Sequence, residues 1–178
     1  MPEYRRPFPQ PIAFSAVGVA VLFSVAALGG CSRAPPELTA AAMQAFVETR
    51  AAALQARNVT ALCSQYADGA EVRGALGDEP VILTKMRYCN HIAEEFDSHT
   101  GEAAYETSLS LKSVVIAPSG KTADLELEQL DLAGAPHDAT RYERRTQISA
   151  HVESVAGKPL ITRESRKETI GEARPPAR

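Results

Sequence analysis

Ala117-Pro118-Ser119-Gly120-Lys121-Thr122-Ala123-Asp124-Leu125-Glu126-Leu127-Glu128 decides the fold class. Pro118-Ser119-Gly120-Lys121 reads as a hairpin turn. Beyond it, Ala123, Leu125 and Leu127 share one face, while Asp124, Glu126 and Glu128 share the other. Before it, Leu109, Leu111, Ser113 and Val115 keep the same period of two. That period is the mark of half-buried strands. After a loop around Gly134-Ala135-Pro136 the alternation resumes. Tyr142, Thr146, Ile148, Ala150 and Val152 interleave with Glu143, Arg145, Gln147, Ser149, His151 and Glu153. Gly157-Lys158-Pro159 turns into a last strand over 160–170. The pattern predicts a four-stranded antiparallel meander.

Upstream the period is helical. Met43, Phe46, Val47 and Leu54 stand against Gln44, Glu48 and Gln55, which predicts an alanine-rich amphipathic helix over 37–57. Asn58 ends it and caps a short second helix. Leu62, Cys63 and Tyr66 form that helix's apolar face, and Asp68-Gly69 stops it. Glu71-Val72-Arg73-Gly74 suits a short strand, and Gly77-Asp78-Glu79-Pro80 a turn. A third helix over 82–96 carries Met86, Cys89, Ile92, Ala93 and Phe96 on its apolar face. Helices followed by strands imply an α+β fold: three N-terminal helices packed on a curved antiparallel four-stranded sheet. The charged sheet face then lies in solvent. There Glu126 and Glu128 can meet Arg145, Arg163 or Lys167, each pair being worth roughly 0.2–1 kcal/mol.

The first thirty residues read as an address. Arg5 and Arg6 precede an apolar run from Ile12 to Leu28, which Gly29-Gly30-Cys31 closes. Leu28-Gly29-Gly30-Cys31 resembles the bacterial lipobox, which implies cleavage after Gly30 and lipidation of Cys31. Lacking a basic stop-transfer cluster, the run fits an uncleaved membrane span less well. By the same resemblance, Ser32 rather than Asp after the cysteine points to the outer membrane, facing the periplasm. The expected organisation is a signal peptide over 1–30 and a lipidated cysteine with tether over 31–37. A single domain over 38–171 and a disordered tail over 172–178 complete it.

The net charge of −3 and the absence of a basic patch exclude nucleic acid as a partner, since Glu143 interrupts Arg141, Arg144 and Arg145. With no Gly-rich phosphate loop, no cofactor is expected. Cys63 and Cys89 are an even pair in an oxidising compartment and read as a disulfide, with two buried thiols as the alternative. A metal site is not expected, because His91 is the sole ligand-type residue near either cysteine.

The element order is similar to the nuclear transport factor 2-like superfamily (SnoaL-like and ketosteroid isomerase-like proteins, polyketide cyclases) over about residues 38–170. The resemblance rests on the long first helix and the short second one running into Tyr66-Ala67-Asp68-Gly69-Ala70-Glu71-Val72. The third helix, the long hairpins and the closing Gly157-Lys158-Pro159-Leu160-Ile161-Thr162-Arg163 complete it. It implies a cone that holds an apolar ligand between helices and sheet. Isomerase-type members use a carboxylate base with a Tyr/Asp oxyanion hole, and no such set aligns here.

Asp68 and His91 are the two candidate bases. Tyr66, Tyr88, His91, Tyr105 and Tyr142 are the polar groups expected near a pocket. Each also has an ordinary structural role: Tyr66 as core, Asp68 as a turn residue, His91 on a helix flank. His99, His137 and His151 are scattered. The sequence therefore favours a non-catalytic envelope lipoprotein that binds a small apolar ligand or docks on an envelope protein. An isomerase, cyclase or dehydratase with a carboxylate or His base is the alternative, and a homodimeric structural module the third; the domain is expected as a monomer or homodimer.

Overall fold

The computed structural model describes residues 37–76, 79–98, 106–133 and 142–172. In chain order these form α1 (Ala40–Gln55), α2 (Val59–Cys63), β1 (Tyr66–Leu76), β2 (Glu79–Thr84), α3 (Lys85–Ser98), β3 (Glu106–Ile116), β4 (Thr122–Ala133), β5 (Tyr142–Val155) and β6 (Lys158–Glu172). The signal, Cys31, the tether up to Pro36 and Tyr105 lie outside the described residues, as do the Gly134-Ala135-Pro136 loop and the tail beyond Glu172.

The expected four-stranded antiparallel sheet is corrected. The sheet has six strands in the order β2-β1-β6-β5-β4-β3, and β1 pairs with β6 in parallel while every other pair is antiparallel. The meander β3–β6 is as expected; of the two added strands, β1 extends the short strand expected over 71–74 back to Tyr66 and on to Leu76, and β2 comes from the segment assigned to turn and helix. Tyr66 opens β1 rather than closing α2, and α3 begins at Lys85, since Val81-Ile82-Leu83 belongs to β2. Two features hide these strands in the sequence. Asp68 and Gly69, weak strand formers, fall where the β1–β6 register shifts between Tyr66 and Glu71, a place where a bulge admits them. Pro80 is tolerated because β2 is an edge strand.

The helices form where capping and composition dictate. Thr39 Oγ1 accepts from the Ala42 amide at 3.1 Å to start α1, and Asn58 Oδ1 accepts from Ala61 at 2.9 Å to start α2. The Leu38 amide donates to the Gly120 carbonyl at 2.7 Å, which docks the lead-in on the β3–β4 turn. Gly120 takes φ +65°, and a Cβ there would approach Glu37 to 2.8 Å. Only glycine meets both demands.

One sheet face carries Leu125, Leu127, Ile148, Ala150, Val152 and Ile161, all buried with Met43, Phe46, Val47 and Leu54 of α1. The other face is polar. There Glu128 meets Lys112 at 2.8 Å and Arg145 at 3.9 Å, and Glu126 accepts from Ser149 at 2.9 Å. Tyr142, expected inward, is 56% exposed. Cys63 and Cys89 form the expected disulfide, with Cα atoms 6.0 Å apart, and it ties the end of α2 to α3.

Candidate active site

α3 places Tyr88, His91, Ile92, Glu95 and Phe96 at helical intervals of three and four, so they share one side of the helix. Together with β1, β2, β4 and β6 they line a cavity of about 50 Å³. The volume holds a few waters. Leu54, Val72, Val81 and Leu83 supply more of its apolar wall, and Gln129, Arg166 and Glu168 its polar part.

Behind the cavity lies a buried polar cluster. Glu164 is fully buried and accepts three hydrogen bonds. Arg50 Nη2 and the Tyr66 hydroxyl reach its Oε2 at 3.1 and 2.7 Å. Arg166 Nη1 reaches its Oε1 at 3.0 Å. Burial alone would raise this carboxyl. The two guanidiniums and the hydrogen bonds outweigh burial and hold it below the usual carboxylate range. Arg50 Nη2 also donates to the Tyr66 oxygen at 2.6 Å, and Arg166 Nη1 to the Tyr88 oxygen at 2.5 Å. Burial pushes both phenols up, well above the ordinary value for Tyr66, against the opposing pull of Arg50 and Arg166. Both tyrosines therefore keep their protons near neutral pH. Their rings meet edge to face with centroids 5.4 Å apart, which fixes both hydroxyls.

Gln129 joins this cluster to a second one. Its Oε1 accepts from Arg166 Nη2 at 3.2 Å, while its Nε2 donates to both oxygens of Asp131 at 3.0 Å. Asp131 also accepts from Thr107 at 2.7 Å and from Arg144 Nε at 3.0 Å, and Arg144 pairs in turn with Glu95 of α3. The polar chain thus runs from α1 through the sheet to α3, and it sets the side-chain positions on the cavity wall.

The sequence candidates separate. His91 and Tyr88 line the cavity. Tyr66 stands behind it in the cluster. Asp68 does not line it: its carboxylate is fully exposed and pairs with Lys85 at 2.9 Å. Tyr142 is an exposed residue at the start of β5, and Tyr105 is not among the described residues. Sequence reasoning missed Arg50, Gln129, Glu164 and Arg166. Arg50 had a signal, since it occupies a core position in the stripe Met43, Phe46, Val47, Leu54. Gln129 had one too, continuing the inward row Ala123, Leu125, Leu127. Among the described residues no group of His, Cys, Asp and Glu is arranged to hold a metal ion.

A helical layer over one face of a strongly paired sheet, with a polar-floored cavity between, is a recurrent arrangement among solved structures. The chain has the nuclear transport factor 2-like fold. A ketosteroid isomerase-like protein from Erwinia carotovora superposes with a TM-score of 0.56 at 14% identity, over 72% of this chain and 94% of the other. A scytalone dehydratase candidate from Novosphingobium aromaticivorans gives 0.56 at 13% identity, over 77% and 89%. A nuclear transport factor 2-like protein of unknown function from Silicibacter pomeroyi gives 0.54 at 17%, over 72% and 94%. No family model matches the sequence, and no curated protein matches it. At these identities the likeness establishes the nuclear transport factor 2-like fold and leaves the activity to the side chains of the cavity.

Proposed function

We propose that the chain is a small-molecule enzyme of the isomerase or dehydratase kind, which moves a proton on a carbonyl-bearing substrate held in the α3 cavity. One observation carries this: His91, Tyr88 and Arg166 border the same otherwise largely apolar cavity. The expectation of a non-catalytic binder is corrected. It rested on the absence of an evident catalytic set, whereas His91, Tyr88 and Arg166 line one cavity. Two of the similar structures carry the names of an isomerase-like protein and a dehydratase candidate.

In this reading the His91 imidazole removes a proton from the carbon next to the carbonyl. Tyr88 donates its hydroxyl proton as a hydrogen bond to the oxygen on which charge collects. Arg166 Nη1 donates to the Tyr88 oxygen, and that bond leaves the hydroxyl hydrogen itself unused. The imidazolium then returns the proton at another carbon (isomerisation) or gives it to a departing hydroxyl (dehydration). Asp68, exposed and paired with Lys85, has no part in this scheme. Glu164 does not serve as base, because three donors occupy it.

The test is proton exchange, which needs no knowledge of the natural product. The purified protein is incubated in D2O with small cyclic ketones and enones, and loss of α-proton signal is followed by NMR. Wild type is expected to exceed buffer and His91→Ala by about 10²–10⁴-fold on at least one ring type, the usual reach of a positioned base. His91 is exposed, so the variant should fold. Equal rates for wild type and variant on every ketone would sink the reading.

We also infer, from the sequence, that the protein is exported and lipidated on Cys31, and works at the envelope within reach of its short tether. The Cys63–Cys89 bridge supports an oxidising compartment. Cys31→Ala should accumulate as a larger precursor without incorporated palmitate. Palmitate labelling that persists in this variant overturns the assignment.

A further inference from the structure

The cluster behind the cavity has one anion for two cations. Arg50 and Arg166 are both ionised, and both use Glu164, one on each carboxylate oxygen. Tyr66 and Tyr88 are neutral, and Gln129 and Gln65, which accepts from Arg50 Nη1 at 3.5 Å, add no charge. Arg50 is turned wholly into the protein, with its side chain 2% exposed. Arg166 is the member that lines the cavity.

Arg166 also has donors to spare. A guanidinium carries five N–H groups. Among the described residues three are used, on Tyr88, Glu164 and Gln129. The Nε–H and one Nη2–H are left over. Its side chain is 14% exposed and lines the cavity, so part of this largely buried cation borders open space. A charged, planar donor with two unused hydrogens suits the two oxygens of a carboxylate. The other charged groups on the wall compete weakly for it. Glu95 is engaged by Arg144. Glu168 is exposed, where solvent screens it. A cavity of about 50 Å³ does not enclose a multi-ring body.

We propose that Arg166 is a substrate anchor and that the ligand of this cavity carries a carboxylate, whose oxygens take the two remaining Arg166 N–H groups. The inference rests on the reading of this cavity as the substrate site, and it deepens that reading by naming the substrate class: small, carbonyl-bearing carboxylic acids.

Binding is measured by calorimetry at neutral pH with two matched pairs, benzoate against benzamide and cyclohexanecarboxylate against its amide. Wild type is expected to favour each acid over its amide by at least tenfold. Arg166→Gln should bring the ratio close to one. Glu164→Gln, which removes the anion that competes for Arg166, should strengthen acid binding several-fold and leave the amides unchanged. Equal binding of acid and amide by wild type overturns the anchor, and so does a preference that survives in Arg166→Gln. The wild-type comparison stands even if a variant fails to fold. Acid preference without His91-dependent exchange would keep the anchor and remove the enzyme. Exchange on neutral ketones without acid preference would do the reverse.

Discussion

Arg50 and Glu164 meet at 3.1 Å inside the core, although 114 positions separate them in the chain. The contact joins α1 to β6, the first described helix to the last strand. Both side chains are out of solvent. Such a pair adds little net stability when intact, because desolvation offsets the attraction; breaking one half leaves a bare buried charge. Arg50 Nε is already buried without a hydrogen-bond partner, so the helix tolerates this cost for the sake of the other contacts. The pair ties α1 to β6 at one place in the core.

Arg50→Met should therefore lower stability by about 3–5 kcal/mol. Methionine has similar length and strong helix propensity, so the loss reports the stranded carboxylate and not a broken helix. Urea unfolding should show a lower midpoint with an unchanged slope. A loss under 1 kcal/mol would mean that Arg166 alone compensates Glu164.

Acid should act through the same carboxylate. Glu164 has a lower pKa folded than unfolded. The folded state therefore gains stability above the unfolded value, about 4.3, and loses it as pH falls through the lower folded value. Stability from this group should hold from neutrality to about pH 5 and decline below that. Urea midpoints in Glu164→Gln should decline less steeply over the acid range than those of wild type.

The tyrosines act at the alkaline end. Tyr66 and Tyr88 have raised values in the fold because burial disfavours the phenolate. The unfolded chain releases these protons near pH 10, before the folded one does. Stability is therefore complete below about pH 10 and falls above it. Tyr66→Phe should unfold at a lower urea concentration at pH 7, because Glu164 loses a donor, yet lose less further stability between pH 9 and 11. A parallel loss in variant and wild type would assign the alkaline transition to other groups.

Much of the fold was legible and the rest was hidden for identifiable reasons. Ala123, Leu125 and Leu127 gave β4 because alternation survives wherever one face is wet and the other dry. Asn58 announced the start of α2 because a cap is a local interaction. Of β1 only Glu71-Val72-Arg73-Gly74 was legible, because its pairing partner, β6, lies about ninety residues on, and because Asp68 and Gly69 sit at an irregularity in register. Within the site, His91 and Tyr88 could be singled out as residue types in a helix, but nothing local places Arg166 against Tyr88, 78 positions away. Glu164 was masked by a second irregularity: the β5–β6 register shifts between His151 and Val152. Counting by twos from Ile161 puts Arg163 inward, whereas Arg163 is exposed and Glu164 is buried. Buried charge is a tertiary fact, and only the partner explains it.

The disulfide offers the last prediction, because Cys89 lies beside Tyr88 and two residues before His91 on α3. Its partner Cys63 ends α2, 26 positions earlier. A loop of this length gives a stabilisation of about 3 kcal/mol on the chain-entropy view. Reduction, or the Cys63→Ser/Cys89→Ser double variant, should cost roughly that much and lower the thermal midpoint. The site should feel more than the global loss. α3 keeps polar ties through Tyr88 to Arg166, Glu95 to Arg144 and Lys85 to Asp68, but the covalent tie is the one that fixes the helix beside its two active-site candidates. Proton exchange by the double variant should therefore fall at 15 °C, where circular dichroism still reports a folded protein. Arg145→Ala on the polar sheet face leaves that helix untouched and should not lower exchange there. Unchanged exchange in a folded, reduced protein would show that packing alone holds α3 in place.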